Sequence, residues 1–223
     1  GEPFYHPRFL DRVAAIRQRG LAVTIGSNGL LLSDSTWRQL IHLGVDQVIV
    51  SIDGVNPQTY ADLRGAQLSQ VLHNIQRLKT LKEELHAPFP NLGIEFVVLR
   101  DNVAELPGLC DLAAQLNAGR VIVSNVLPYT AEMYAQKLYD YAPQPPLKAQ
   151  GWPIHSGAWV RWGNLELPRM HWGAEPRCRF IHDHAAVIGW DGEISPCYAL
   201  SHSYEYYAID GTPKQVSRLS FGN

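Results

Sequence analysis

The feature that most constrains this chain is the alternation of short apolar runs with amphipathic segments up to residue 128. Pro7 to Gly20 reads as a helix, with Phe9, Val13 and Ile16 on one face and Gly20 as its stop. Leu21 to Ile25 is an apolar strand that runs into the turn Gly26-Ser27-Asn28-Gly29. Ser33-Asp34-Ser35 offers N-caps for a helix through Leu43. Asp46 to Ile52 is a second strand, closed by Asp53-Gly54. A short helix over Pro57 to Leu63 precedes a long one marked by Leu68, Val71, Leu72, Ile75, Leu78 and Leu85, which Pro88 and Pro90 end. Gly93 to Leu99 reads as a strand, Asn102 to Leu116 as a helix, and Arg120 to Val123 as a strand that leads to Ser124 and Pro128.

Strands that alternate with helices imply parallel β-α units. Their continuous apolar runs, rather than alternating ones, suit a parallel sheet covered by helices. The class is therefore α/β, either doubly wound or a barrel of the TIM type, and in both the chemistry sits at the carboxyl ends of strands. Composition agrees: 46% apolar and 18% charged residues exclude a disordered chain. A net charge of −2 argues against nucleic acid as partner. No run approaches the roughly 18 apolar residues of a membrane helix, and no secretory signal is visible. Three cysteines are too few for a disulfide framework, so a reducing, cytoplasmic setting is expected.

Three regions are expected: the α/β part over residues 1–128, a loop-rich connection rich in Tyr, Trp and Pro over 129–176, and a small unit over 177–223. In the last, Asp191-Gly192 lies between apolar runs and reads as a two-residue hairpin turn, with Ala185 to Trp190 and Glu193 to Ser195 as strands.

Small polar residues and glycines stand at the strand ends of the α/β part: Ser27-Asn28-Gly29, Ser51-Ile52-Asp53-Gly54, Arg100-Asp101-Asn102 and Ser124-Asn125. Glycine admits a ligand close to the backbone, and Ser, Asn and Asp bind hydroxyls and amines. Turns and helix caps use the same residue types, so composition leaves both readings open.

The order of the segments goes further. Gly1-Glu2-Pro3 before a helix, Ser27-Asn28-Gly29 after the next strand, Val50-Ser51-Ile52-Asp53-Gly54 after the one following, and Leu63-Arg64-Gly65 together resemble the radical S-adenosylmethionine (SAM) superfamily. The resemblance covers Gly1 to about Pro128. It implies a partial (β/α)6 TIM-like barrel lacking its first strand, which binds SAM beside a [4Fe-4S] cluster. The cluster reduces SAM to methionine and a 5′-deoxyadenosyl radical that takes hydrogen from a substrate. Residue by residue, Gly1, Glu2 and Pro3 would receive the methionine ammonium, with Ser27 and Asn28 at the same mouth. Ser51 and Asp53 would lie at the next strand end, and Arg64 would clamp the SAM carboxylate. Asn125 and Leu127 would lie near ribose and adenine.

The family's Cys-x3-Cys-x2-Cys loop is absent from this sequence. In the family it precedes the Gly-Gly-Glu-Pro segment, so it is expected upstream of Gly1, with the chain cut at both ends. Further on, Cys178, thirteen residues, Gly192, four residues and Cys197 fit the opening of a SPASM or twitch extension. There a hairpin presents two thiolates to an auxiliary Fe–S cluster. Two buried free cysteines remain the alternative. Cys110 shares a helical face with Leu106, Leu109 and Ala113 and is expected to be inert, and His182-Asp183-His184 are expected to be polar residues entering the hairpin.

Within the superfamily, the stretches 123–133 and 190–197 and His202-Ser203-Tyr204 resemble maturases linked to tungsten-containing oxidoreductases. Tyr198 after the second hairpin cysteine departs from the sulfatase-maturing type. The partners implied are a peptide, protein or cofactor-precursor substrate and an electron donor such as ferredoxin or flavodoxin. Two rival functions stand beside this one. A TIM-type metal-dependent hydrolase would need metal ligands on several strand ends, and a non-catalytic scaffold would need none of this chemistry.

Overall fold

The computed structural model describes residues 1–138, 178–208 and 210–223, so most of the expected connection over 129–176 lies outside the described residues. The described residues form two compact units, one over 1–124 and one over 125–138 with 178–223.

The first unit is built on strands β1 (Thr24–Ser27), β2 (Gln47–Ser51), β3 (Asn91–Val98) and β4 (Arg120–Asn125), which lie in the sheet in that order. β1 pairs parallel with β2, Ser27 beside Val50, and β2 pairs parallel with β3, Ser51 beside Glu95. The crossovers carry α2 (Asp34–His42), α3 (Pro57–Arg64), α4 (Leu68–Glu84) and α5 (Leu106–Gln115), while α1 (Phe9–Arg17) precedes β1. A strand order that follows the sequence has no reversal point, and right-handed crossovers then place successive helices on one face.

Burial follows from that arrangement. Along β2, Val48 and Val50 are fully buried and Gln47, Ile49 and Ser51 half-buried; along β3, Ile94, Phe96 and Val98 are buried and Glu95 and Val97 half-buried. One sheet face is thus packed under helices. Trp37 of α2, Tyr60 of α3 and Ile75 of α4 fill the core, each contributing about 1.5–3 kcal/mol. The Trp37 indole N–H donates to the Asn74 carbonyl (2.7 Å), which joins α2 to α4. Ser33 caps α2 as the sequence predicts, its Oγ accepting the Thr36 N–H.

β1 begins three residues later than the sequence suggested. Asp46 accepts the Val23 N–H (2.7 Å) and pairs with Arg17 (2.8 Å), and Arg17 also donates to the Leu21 carbonyl (2.8 Å). These bonds hold Leu21 to Val23 as a loop outside the ladder. The predicted helix from Asn102 opens instead as a 3-10 turn, Val103–Glu105, because Asn102 is spent on bracing the strand ends.

The second unit holds α6 (Ala131–Ala135), α7 (Arg179–His182) and two antiparallel hairpins, β5 (Val187–Ile188) with β6 (Ile194–Ser195) and β7 (Tyr204–Tyr207) with β8 (Pro213–Val216). The first hairpin has a three-residue loop, not the two-residue turn expected. Gly189 pairs with Glu193 (2.8 Å), leaving Trp190, Asp191 and Gly192 in the loop, with Gly192 in the left-handed region at φ 87. Trp190 is therefore a loop tip, 98% exposed, and not a strand residue. Arg218 grips Asp191 with two bonds (2.6 and 3.0 Å), and Ile194 exchanges backbone bonds with Phe221 and Gly222. The C-terminal residues, which showed no element in the sequence, thus line the hairpin.

Candidate cofactor site at the carboxyl edge of the sheet

The expected site residues on β1 meet one another. Ser27 ends β1, and its hydroxyl donates to the Glu2 carboxylate (3.0 Å to Oε1) while accepting the Gly29 N–H (3.0 Å). The Asn28 N–H donates to Glu2 Oε2 (2.6 Å), and Asn28 Oδ1 accepts the Leu30 N–H (2.9 Å). Glu2 also caps the 3-10 turn Pro3–Tyr5, with Gly1 exposed before it. A half-buried carboxylate is thereby fixed at the end of β1 by neutral donors alone. No cation pairs with Glu2 among the described residues, so its charge is left for an incoming cation.

The loop that carries these groups is itself pinned. Asn74 of α4 donates to the Gly29 and Leu30 carbonyls (2.9 and 3.1 Å). Gly29 has φ 81, and a Cβ there would lie 2.7 Å from Val71 and 2.9 Å from Val50. Only glycine serves at that position.

At β2, Ser51 is half-buried and Asp53 is buried just beyond the strand. Asp53 Oδ1 accepts the Val97 N–H (2.8 Å), and Oδ2 lies 2.6 Å from Arg64 Nη2 at the end of α3. Burial pushes the Asp53 carboxyl above its ordinary value, against the opposing pull of the Val97 N–H and the Arg64 guanidinium. Arg64 was expected to clamp a ligand carboxylate; the structure pairs it with Asp53. Of the edge carboxylates, Asp53 is neutralised within the fold and Glu2 is not.

Three further residues shape the edge: Asn102, read in the sequence only as one of several strand-end polar residues, and Glu105 and Glu95, which escaped it. Asn102, fully buried, donates to the Asp53 and Val97 carbonyls (both 2.9 Å) and accepts the Leu99 N–H (2.7 Å). Glu105 accepts the Val55 and Asn56 N–H groups (2.6 and 2.9 Å). Together they clamp the loop after β2 to the loop after β3. Glu95, beside Ser51 on the half-buried sheet face, is a charge inside the apolar run Ile94-Glu95-Phe96, and that interruption is the signal that could have found it.

Asn125 closes β4, and Leu127 stands half-buried just beyond it. In the second unit Cys178 is exposed ahead of α7, and Cys197 is half-buried at the start of the 3-10 turn Tyr198–Leu200. Both are free thiols. The Phe180 and Tyr198 rings, one following each cysteine, meet edge-on at 5.4 Å. His182, Asp183 and His184 are exposed, and no group of three or more metal-ligating side chains occurs among the described residues. Cys110 is buried in α5 with its thiol pushed up to about 11 by burial, the inert residue expected.

The edge therefore presents the Glu2 carboxylate beside the Ser27 hydroxyl, a donor set whose chemistry suits an ammonium group. The [4Fe-4S] radical cluster is not matched in the same way: the cysteines, at 110, 178 and 197, do not have its spacing.

A family model described as the radical SAM superfamily matches residues 1–113. Over its whole length the chain is 36% identical to the tungsten-containing aldehyde ferredoxin oxidoreductase cofactor-modifying protein of Pyrococcus furiosus, of which it spans 62%. It is 30% identical over 132 residues to a PqqA peptide cyclase of Gluconobacter oxydans, a match of 58% of this chain and 35% of that protein. The chain thus spans less than two thirds of these relatives. Among solved structures, Streptococcus suis SuiB bound to S-adenosylmethionine aligns with TM-score 0.53 and 18% identity over 63% of this chain and 31% of SuiB, a likeness of fold.

Proposed function

The chain belongs to the radical SAM superfamily, and on that premise we propose that it carries the SAM-binding sheet of a maturase acting on a cofactor precursor. The sequential strand order and one-sided helices support a partial (β/α)6 barrel, whose carboxyl edge is the ligand face. When bound at this edge, SAM and a [4Fe-4S] cluster would together supply hydrogen-abstraction chemistry toward a substrate.

In this reading the chain's own residues bind and orient. Glu2 holds the ammonium of SAM, and Gly1 and Pro3 offer backbone carbonyls beside it. Ser27 and Asn28 keep the Glu2 carboxylate aimed. Ser51 faces the ligand's carboxylate or ribose, and Asn125 and Leu127 lie toward ribose and adenine. Asp53 holds Arg64 at the same edge, so Arg64 presents its remaining N–H groups while its charge is half spent.

Cys178 and Cys197 are two ligands of an auxiliary Fe–S cluster, supported by the hairpin between them and by the Phe180–Tyr198 contact. The substrate class follows from the cofactor-modifying relative, which matches along the whole chain. A peptide is the second reading, favoured by the peptide cyclase match over 132 residues. Ferredoxin or flavodoxin is the proposed electron donor. No helix among the described residues is long and apolar enough to cross a membrane.

The observation that carries this is the Glu2 carboxylate, fixed at the end of β1 by Ser27 and Asn28 and left uncompensated. The full gene product containing this sequence, reconstituted anaerobically with iron and sulfide, tests it. Dithionite and SAM should yield 5′-deoxyadenosine. No product above the SAM-free background would overturn the reading.

A further inference from the structure

At the amino end of the sheet, opposite the edge described above, lies a cavity of about 230 Å³. Its walls are the second half of α4, the start of β3 and the loop between α5 and β4. Lys79, Lys82, Asn91 and Asn117 supply its polar groups, and the buried Leu92 and Leu116 its apolar floor. None of the residues proposed to hold SAM lines it.

The charge in this cavity is one-sided. Among the described residues no carboxylate lines it. Lys82 is half-buried, and its ammonium donates to the Pro90 carbonyl (3.1 Å), which leaves two of its three donors over. Burial pulls the Lys82 pKa down, as it does for a cation that no nearby charge compensates. Lysines near a helix end commonly answer its bare carbonyls. Here the carbonyls closing α4 (Leu81 to Glu83) and α5 (Leu112 to Ala114) already accept backbone N–H groups at 2.9–3.3 Å. The walls are also fixed. The Gly119 N–H donates to the Leu92 carbonyl (2.9 Å) and ties the loop of Asn117, left-handed at φ 54, to β3. Two ammonium groups and two amides thus stand around a preformed apolar floor, the make-up of a small-molecule site.

We infer that this cavity binds a small organic carboxylate, with Lys82 and Lys79 holding the carboxylate, the Asn91 and Asn117 amides donating beside them, and a short apolar tail on Leu92 and Leu116. The volume is below the roughly 300 Å³ at which pockets for drug-sized ligands begin, so the ligand is much smaller than SAM. A bare phosphate ion would leave the apolar floor unused. The inference goes beyond the SAM reading and does not depend on it.

The test titrates 3-methylbutanoate against the full gene product by ligand-observed NMR, without reductant and with saturating SAM to fill the carboxyl edge. The uncharged 3-methylbutanamide, acetate and inorganic phosphate serve as comparisons. A ligand of about seven non-hydrogen atoms can reach a dissociation constant of about a millimolar. The acid should bind at that level, and the amide, acetate and phosphate each about tenfold or more weakly. Lys82→Met keeps the apolar stem without the charge and should weaken the acid about tenfold. Asn117→Asp, at a backbone angle that Asp tolerates, puts a negative charge in the cavity and should weaken it as well. No binding of the acid below about 10 mM, or equal binding of acid and amide, would overturn the inference with no variant needed. Phosphate bound as tightly as the acid would show a site for an inorganic anion and would overturn it too. If the acid binds both variants as it binds the parent, it sits elsewhere and the inference fails.

Discussion

Arg64 Nη2 lies 2.6 Å from Asp53 Oδ2, so the guanidinium that ends α3 is tied to the carboxylate that follows β2. The pair is neither a surface bridge nor a buried one, with side-chain exposures of 29% and 11%. Surface pairs contribute about 0–1 kcal/mol and breaking buried ones costs about 3–5 kcal/mol, so an intermediate coupling is expected. A double-mutant cycle of Arg64→Met and Asp53→Asn in urea should give roughly 1–2 kcal/mol. Additive single mutants would show that the two groups do not support each other.

Two glycines separate backbone strain from steric clash. Both Gly29 (φ 81) and Gly65 (φ 64) are left-handed, yet a Cβ meets Val71 and Val50 at the first and nothing at the second. Gly65→Ala should cost about 1 kcal/mol and Gly29→Ala roughly 2–4 kcal/mol, the added part being overpacking. Equal losses in denaturant melts would mean that the loop after β1 can yield.

Asp191 carries a pH signature. Two bonds from Arg218 and the Glu193 N–H hold its carboxyl down at about 2, below the ordinary 3.8. A depressed carboxyl adds stability above 3.8 that is lost as pH falls toward 2. The parent's advantage over Asp191→Asn should therefore be present at pH 6 and shrink across that acid window. An advantage independent of pH between 6 and 2 would contradict the pairing.

Much of the α/β part was legible because local signals and tertiary demands agree there. Val48, Ile49 and Val50 make a continuous apolar run, and a run of that kind is a strand in a covered parallel sheet. Ser33 before Trp37 announced its own helix. The parts that were not legible depend on partners distant in sequence. Leu21 looks like strand until Asp46 and Arg17 claim its neighbourhood. Trp190 looks like strand until Arg218 fixes Asp191 in the loop. Glu95 goes unremarked until register places it beside Ser51, and Arg64 reads as a clamp for a ligand carboxylate until the end of α3 places it beside Asp53. The hairpin β7–β8 went unread because the exposed run Pro213-Lys214-Gln215 in β8 gives no apolar alternation to pair with the half-buried tyrosines of β7.

Glu105 offers a further check on how the edge is built. Its carboxylate holds the Val55 and Asn56 N–H groups at the start of α3. Glu105→Gln keeps an acceptor, whereas Glu105→Ala leaves two donors unmet and should cost about 1–3 kcal/mol. The two variants should differ in urea midpoint, and identical midpoints would show that water replaces the carboxylate.

The most direct test is the affinity for SAM when Glu2 loses only its charge. Glu2→Gln keeps one acceptor, and with its amide oxygen in the Oε2 position that oxygen stays within reach of both the Ser27 hydroxyl (3.2 Å) and the Asn28 N–H (2.6 Å), so the fold and melting temperature should stay near the parent's. A hydrogen bond to a charged group contributes about 1.5–3 kcal/mol, so equilibrium dialysis of SAM against the full gene product should show roughly tenfold or greater weakening. An unchanged dissociation constant for Glu2→Gln would mean that the ammonium is held elsewhere and that the carboxyl end of β1 is not the SAM site.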